Sequence, residues 1–591
     1  MRESLLPNDD CKELGTLEVE VNSENERHTN DINDFINPKN NRKNLKRKKI
    51  IIIILIIIFM AIISGVIVIY FFFLNKPMKK VCEEGYKLEN DSCILPYSFK
   101  SIYETKLKNQ RIKLFGEYFD FIIDEMIIDG KKVDFCRTYK FESIGLHTVL
   151  VSVDLSKNKS LESMFSESEM ISIAFGEKFN TEKITDMNCM FEACEKLTSI
   201  ELSVFNTINV LNMGEMFSGC SSLKSLDLSN FITDNVDDMF NMFSECSSLT
   251  SIDLSNFNTE EVTDMNGMFN ECRSLTSINL SNFNTKQVTD MSSMFYECRS
   301  LTSLDLSNFN TKQVTDMFNF FYGCKSLISI KLSNFNTKNV EDMDGMFYGC
   351  QSLNSIDLSK FVTTKVTDMN EMFEKCHKLI SLDLSNFNTR NVKIMSNMFK
   401  GCYSLTSLDL GSFNTNEVET MNSMFYNCSS LISLNLSNFK NEKVNDLYNM
   451  FGRCRSLISI DLSGFGTEQV FNMSKMFIEC ESLKSINLSN FNTSHLEQLS
   501  SMFEGCHSLT SINLSNFIDN KIKYIKNIFK DCPSLEYIDI SSIKWNNQGQ
   551  TNISEFKASK GILIISSNLY TNLIIKPKES WNVTNITYIN N

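Results

Sequence analysis

The sequence predicts a right-handed α/β solenoid of 26-residue coils, each a short strand plus a short helix, behind one transmembrane helix and a small β-rich cap. Three observations lead there. A cysteine recurs at a constant interval of 26 residues, fourteen times from Cys194 to Cys532. Apolar residues keep the same offsets from that cysteine in unit after unit. One charge-free run, residues 50–74, is long enough to cross a bilayer.

At 591 residues the chain exceeds one ordinary domain, so several domains or a repeat array are expected. A net charge of −14 argues against nucleic acid, whose phosphates need a basic surface. The 5 histidines are scattered, and no His/Cys or His/carboxylate cluster marks a catalytic centre, so no enzyme, cofactor or metal is read.

Residues 1–49 are polar and poor in aromatics, a disordered tail placed in the cytoplasm. The 25 uncharged residues at 50–74 span about 37 Å as a helix, against a hydrocarbon core of ~30 Å. A buried helix and a cleaved signal peptide both fit worse, because the run is long, starts deep in the chain and lacks a small-residue cleavage site. Arg42, Lys43, Lys46, Arg47, Lys48 and Lys49 precede the span, whereas Lys76, Lys79 and Lys80 come after it. The heavier basic flank stays inside, which makes the protein a single-pass plasma-membrane protein with its C-terminal repeats outside.

Residues 75–98 hold "VCEEGYKLENDSCIL", where Cys82 and Cys93 enclose a short polar loop. In an oxidising exterior the pair is expected to close a disulfide, the alternative being two free thiols. Residues 99–160 alternate apolar and polar letters between glycines, the pattern of several short strands that cap the first exposed end of the array.

The array occupies residues 161–545. A fifteenth unit precedes the cysteines with Ser168 in the cysteine place. In the unit at Cys246 the recurrent apolar residues are Leu249, Ile252, Leu254, Phe257, Val262, Met265, Met268 and Phe269. "LTSIDL" reads as a strand, "NFNT" as a bend, and "VTDMNGMF" as a short helix capped by Thr263 or Asp264. Units that bury their apolar face only against neighbours form solenoids. The array cysteines are expected as buried free thiols, since stacked side chains point the same way and a disulfide needs converging Cβ atoms. Residues 546–591 return to alternation and read as a C-terminal cap or tail.

"MFxxCxSLxSLDLSNFNTxxVTDM" resembles the BspA-like leucine-rich repeats, in the subtype common in mycoplasma surface lipoproteins and protist surface proteins. The resemblance covers about residues 161–543 and implies a leucine-rich-repeat solenoid displayed at a cell surface for adhesion. Mycoplasma relatives carry a lipidated N-terminal cysteine, whereas this chain has an internal apolar run.

Asp227, Asp253, Asp305, Asp357, Asp383, Asp409 and Asp461 share the seventh place after the cysteine and form an acidic stripe on the concave face, a candidate binding face. Asn279, Asn435, Asn487, Asn513 and Lys331 interrupt it, so the stripe is read as solvated and not as a calcium site. Ser and Asp supply none of the Trp, Tyr and Arg anchors of protein hot spots, which leaves multivalent polar contact or the variable offsets 1, 2, 14 and 15 for recognition, with changing letters such as "YE", "R" and "KQ". Asn552, Asn582 and Asn585 begin the best-placed glycosylation sequons. The expected function is binding of extracellular proteins or glycans in adhesion; the alternative is a ligand-free coat rod ~70 Å long.

Overall fold

In the computed structural model, residues 87–89, 92–94, 97–117, 122–517, 521–542, 562–566 and 586–589 are described, and all belong to one compact unit, Cys82–Asn591. A hairpin comes first, β1 (Lys87–Glu89) with β2 (Ser92–Ile94). Next come β3 (Phe99–Thr105), β4 (Gln110–Lys113), β5 (Ile122–Ile128), β6 (Lys131–Val133), β7 (Thr138–Phe141) and β8 (Gly145–Asp154). The first repeat strands are β9 (Met170–Phe175) and β10 (Ser199–Glu201). One sheet runs β10-β9-β3-β8-β5-β6, while β4 and β7 pair separately.

β3 is the junction of cap and array. It lies antiparallel between β8 and β9, and β9 pairs parallel with β10 in the manner of the coils beyond. The open edge of the first coil is thereby covered, and Phe99 joins the two cores through edge-on contact with Phe165 at 5.1 Å. Ser168, in the cysteine place, donates its hydroxyl to the Leu114 carbonyl of the cap at 2.9 Å, which explains the atypical letter. Gly116 lies against the same coil: a Cβ there would fall 1.9 Å from the Ser163 carbonyl oxygen.

The coils then stack with a 26-residue register, seen in β11 (Ser303–Asp305) with β12 (Ser329–Lys331) and β13 (Ser407–Asp409) with β14 (Ser433–Asn435). A second ladder of fourteen parallel bridges climbs from Ser160 to Tyr524 at the same interval. The last sheet orders β15 (Ser511–Asn513), β16 (Tyr537–Asp539), β17 (Ile562–Ser566) and β18 (Ile586–Ile589), so parallel pairing continues past the final cysteine.

The α/β expectation is overturned. Among the described residues there is no helix, and each coil is strand plus turns. "VTDMNGMF" imitates a helix because Met265, Met268 and Phe269 are spaced three and four apart and all are buried. Its hydrogen bonds tell otherwise. The Met268 N–H reaches back three residues to Met265 at 3.3 Å, and Cys272 does the same to Phe269 at 3.2 Å. The intervening Met265, Gly267, Phe269 and Glu271 N–H groups leave the coil and bond Asp290, Ser292, Met294 and Tyr296 carbonyls of the next. Gly267 (φ 61°) and Glu271 (φ 56°) are left-handed, a conformation that ends a right-handed helix wherever it occurs. The places five and one before the cysteine are left-handed throughout the array, and glycine or asparagine often fills them.

The transmembrane helix expected at residues 50–74 lies outside the described residues. Among those described, no helix is long and apolar enough to cross a membrane.

Each repeated letter has a ladder. The Phe two after each "LS" stacks on its counterpart, as Phe387 on Phe413 at 6.5 Å, and so does the Phe of "MF", as Phe217 on Phe243 at 5.9 Å with parallel rings. Asn256 donates its amide to the Leu228 and Phe231 carbonyls of the previous coil at 2.9 and 2.7 Å. Thr259, fully buried, accepts the Asn284 N–H at 2.8 Å and donates to its carbonyl at 3.1 Å. Each array thiol donates to a Phe carbonyl 29 residues back, as Cys246 to Phe217 at 3.2 Å. Burial pushes the Cys246 thiol up to about 12, so thiolate is not formed at physiological pH.

Two predictions concern the core. Phe269→Ala is expected to lower stability by ~3–5 kcal/mol in urea unfolding monitored by circular dichroism, through an unfilled place in one ladder. A thiol reagent applied to the folded protein is expected to leave the fourteen array cysteines unmodified and to label them in denaturant; rapid native labelling would contradict the spine.

Candidate functional site

The strand face came first by sequence, and its aspartates are all exposed. Their geometry is local. Asp227, Asp253, Asp305, Asp357, Asp383, Asp409 and Asp461 each accept the backbone N–H of the residue two places on, at 2.9 to 3.1 Å. Asn279, Asn435, Asn487 and Asn513 accept the same bond with a neutral oxygen. The carboxylate thus closes a turn that an amide closes equally well, which is why Asp and Asn alternate. The serine N–H beside Asp227 holds its carboxyl below the usual range, and the Lys331 ammonium, 2.7 Å from Asp305, holds that one down at about 2.

The aspartates of "TDM", expected as helix caps, close turns of the same kind, as Asp264 does with the Asn266 N–H at 2.8 Å. No helix follows them. Being half-buried, Asp264, Asp316, Asp342 and Asp368 are pushed up, burial being the main cause. Asp344 rises furthest, to about 7, through burial first and then the carboxylates of Asp368, Glu371 and Asp342; Asn370 steadies it at 3.0 Å.

Offsets 14 to 17 line a cleft of about 480 Å³ over the first coils, with Lys157, Lys159, Lys183, Asn209, Leu211 and Asn235 on its walls. Its polar groups are largely engaged: Lys183 bonds the Ser156 carbonyl at 3.0 Å, Asn209 that of Glu182 at 2.7 Å, and Asn235 that of Ile208 at 2.8 Å.

The turn face is different. The residue two before each cysteine occupies the corner of a turn, ahead of the left-handed residue; Ser244 and Glu374 are buried there, whereas most of the others are half-buried. In three successive coils that residue is Tyr296, Tyr322 and Tyr348. The rings stack at 4.8 and 4.0 Å, nearly parallel, and the Lys375 ammonium lies 4.4 Å over the last ring and bonds its hydroxyl. Gly323 and Gly349 come directly after the second and third rings, and both are buried.

Offset 1 supplies Arg273 and Arg299, paired with Glu271 and Glu297, and further along His377 stacked on Tyr403 at 4.5 Å. Tyr426 lies under the Arg453 guanidinium at 5.7 Å. Burial, and then Lys375, hold His377 below its ordinary value, so it is neutral at pH 7. Burial, and then the hydrogen bond with Tyr348, raise Tyr322, so its phenol stays protonated. Offset 1 and the changing letters "YE" before the cysteine were legible as variable places; their run as stacked tyrosines was not, although Tyr precedes Cys298, Cys324, Cys350 and Cys428 by the same two residues.

The proposed disulfide cannot be placed: Cys82 lies outside the described residues, and of Cys93 only the backbone, in β2 opposite Leu88, is described. Asn552, Asn582 and Asn585 also lie outside them. Among the described residues no group of three or more His, Cys, Asp or Glu is arranged to hold a metal ion.

A family profile described as "Mycoplasma protein of unknown function, DUF285" matches residues 159–276, 248–361, 302–381, 342–460 and 445–563, together more than half of the chain. No curated protein matches. Solved structures with similar folds include a leucine-rich cell surface protein from Faecalibacterium prausnitzii (19% identity, 56% of this chain and 83% of that one, TM-score 0.31). A leucine-rich repeat protein from Bacteroides ovatus matches at 18% identity over 80% of this chain and 100% of that one, with TM-score 0.32. The functional domain of InlJ from Listeria monocytogenes, described as including a cysteine ladder, matches at 14% identity over 72% of each chain, with TM-score 0.20.

Asp344 generates a pH dependence. Its carboxyl binds a proton more tightly folded, at about 7, than at the ordinary 3.8 of an unfolded chain. That stabilisation is complete below the unfolded value and is lost as pH rises through the folded one. Asp344→Asn is therefore expected to raise the thermal midpoint above pH 7 by ~1–2 °C and to flatten its decline between about pH 4 and 7, by scanning calorimetry.

Proposed function

This chain belongs to the family described as Mycoplasma protein of unknown function, DUF285, and we propose that it is a leucine-rich-repeat adhesin that grips a protein or glycan at the cell exterior through its turn face. The observation that carries the reading is the stack Tyr296–Tyr322–Tyr348 with Arg273, Arg299 and His377 beside it. Elsewhere the coils turn most of their large side chains into the core; here three aromatics in a row stand half-buried on the turn face, outside the Phe ladders. Tyr and Arg are the residue types that dominate binding energy in interfaces. A face pre-ordered by stacking also loses little side-chain freedom on contact.

Display outside the cell is part of the proposal. It rests on the uncharged run at 50–74 and on the heavier basic flank before it.

Binding of the full solubilised chain to cells and glycan arrays is the first measurement, and uniformly negative results with dense packing on live cells would favour the coat rod. Where a ligand is found, Tyr322→Ala or Tyr348→Ala is expected to weaken it by about 30-fold, while Asp253→Ala changes affinity by less than about twofold. Protease treatment of intact cells is expected to digest the repeats; a protected solenoid would refute the orientation.

A further inference from the structure

The cap holds an exposed tip built from two neighbouring turns. Residues 106–109 join β3 to β4, and residues 142–144 join β7 to β8. Thr105 ties them together, donating its hydroxyl to the Ser143 carbonyl at 2.8 Å, and the Gln110 side chain accepts the Lys106 and Leu107 N–H groups at 2.9 and 3.2 Å. The tip is therefore ordered by its own hydrogen bonds. It nevertheless presents Leu107, Ile144 and Leu146 to solvent at 68, 58 and 67% exposure. Isolated surface leucines need no explanation, but three large aliphatic side chains on adjoining turns make a patch.

Four cations lie around it, alongside the carboxylates of Glu104, opposite Leu146, of Glu142, and of Asp129, which is held by His147 and the Thr148 N–H. Lys106 and Lys108 flank Leu107 in sequence. Just below, Arg111 of β4 and Lys140 of β7 are cross-strand partners, both exposed. Like charges directly opposite one another destabilise a strand pair, and an anion lying across them relieves that repulsion. Among the described residues none of these four cations forms an ion pair, while Glu104 and Glu142 are the acidic side chains nearest in sequence to the two turns.

Aliphatic side chains at a rigid tip, ringed by lysine and arginine, match the boundary of a bilayer whose headgroups are anionic: the apolar groups enter the acyl edge while the cations meet phosphates. A soluble acidic protein would satisfy the cations but offers no reason for the protruding leucines. We propose that this tip is a membrane-surface docking element, seating Leu107, Ile144 and Leu146 in the interface of an anionic bilayer with Lys106, Lys108, Arg111 and Lys140 on its phosphates. The contact holds the first coil of the array close to the lipid. It is independent of the tyrosine face, which lies in later coils.

Tryptophan placed at the tip tests it in the full chain, which has only 2 native Trp. Leu107→Trp and Ile144→Trp proteins are reconstituted with vesicles of phosphatidylcholine alone or mixed with phosphatidylglycerol, each with and without brominated acyl chains. Both exposed sites accept the larger ring without disturbing the core. The expected result is blue-shifted emission and bromine quenching in the phosphatidylglycerol vesicles, several-fold above a Ser251→Trp control on the strand face, and lost when Lys106→Glu and Lys108→Glu are added. Quenching no greater than the control overturns the proposal. So does equal quenching in both lipids that the charge reversals leave untouched.

Discussion

Everything in this molecule hangs on backbone N–H groups that leave their own coil. In each turn segment alternate donors fold back within the coil, and the rest cross to carbonyls of the next, as from Met265, Gly267, Phe269 and Glu271. A helix would use those donors on itself and leave each unit a separate cylinder needing side chains alone for adhesion. Here the peptide groups do the joining, and the Phe, Asn, Thr and Cys ladders fill the space they enclose. Buried peptide groups left unpaired are costly, so the crossing pattern fixes the register of every side chain above it.

That arrangement explains which parts of the fold the sequence reveals. Periodicity exposed the 26-residue coil, the inward set and the atypical first unit, because burial repeats wherever geometry repeats. It could not separate a helix from a run of turns, since both bring Met265, Met268 and Phe269 inward. The discriminating signal lay in polar letters: glycine and asparagine at the places five and one before each cysteine, where the backbone is left-handed. Apolar spacing reports which residues face in, and the residues tolerant of positive φ report how the chain gets them there.

The candidate site obeyed the same division. Asp253 and its counterparts looked functional because they are charged, exposed and repeated, yet each closes its own turn, a task shared with Asn279. Repetition of an exposed polar residue therefore marked construction. Departures from repetition mark use. Tyr296, Tyr322 and Tyr348 occupy a place that in the other coils holds Ser, Asn, Glu, Lys, Gly, Ile or, at Tyr426, a single Tyr, and no core requirement accounts for three aromatics in succession there. Offset 1 and the "YE" of the phrase "MFYEC" were both visible as variable, but the stacking of rings from coil to coil was not.

The thiol spine carries a last consequence. Each thiol reaches 29 residues back, most ladder threonines 25 forward, each bridge 26 either way, and the Ser168 hydroxyl ends the series on the cap carbonyl of Leu114. Excising or duplicating one whole unit between the caps keeps these backbone and thiol bonds in register, so recombination between repeats changes the number of coils and disturbs only the side-chain pairs particular to one coil, such as Glu374 with Lys400. Such a scaffold is a ladder to which evolution can add rungs, moving the tyrosine face nearer to or farther from the cap while leaving the chemistry of both ends alone.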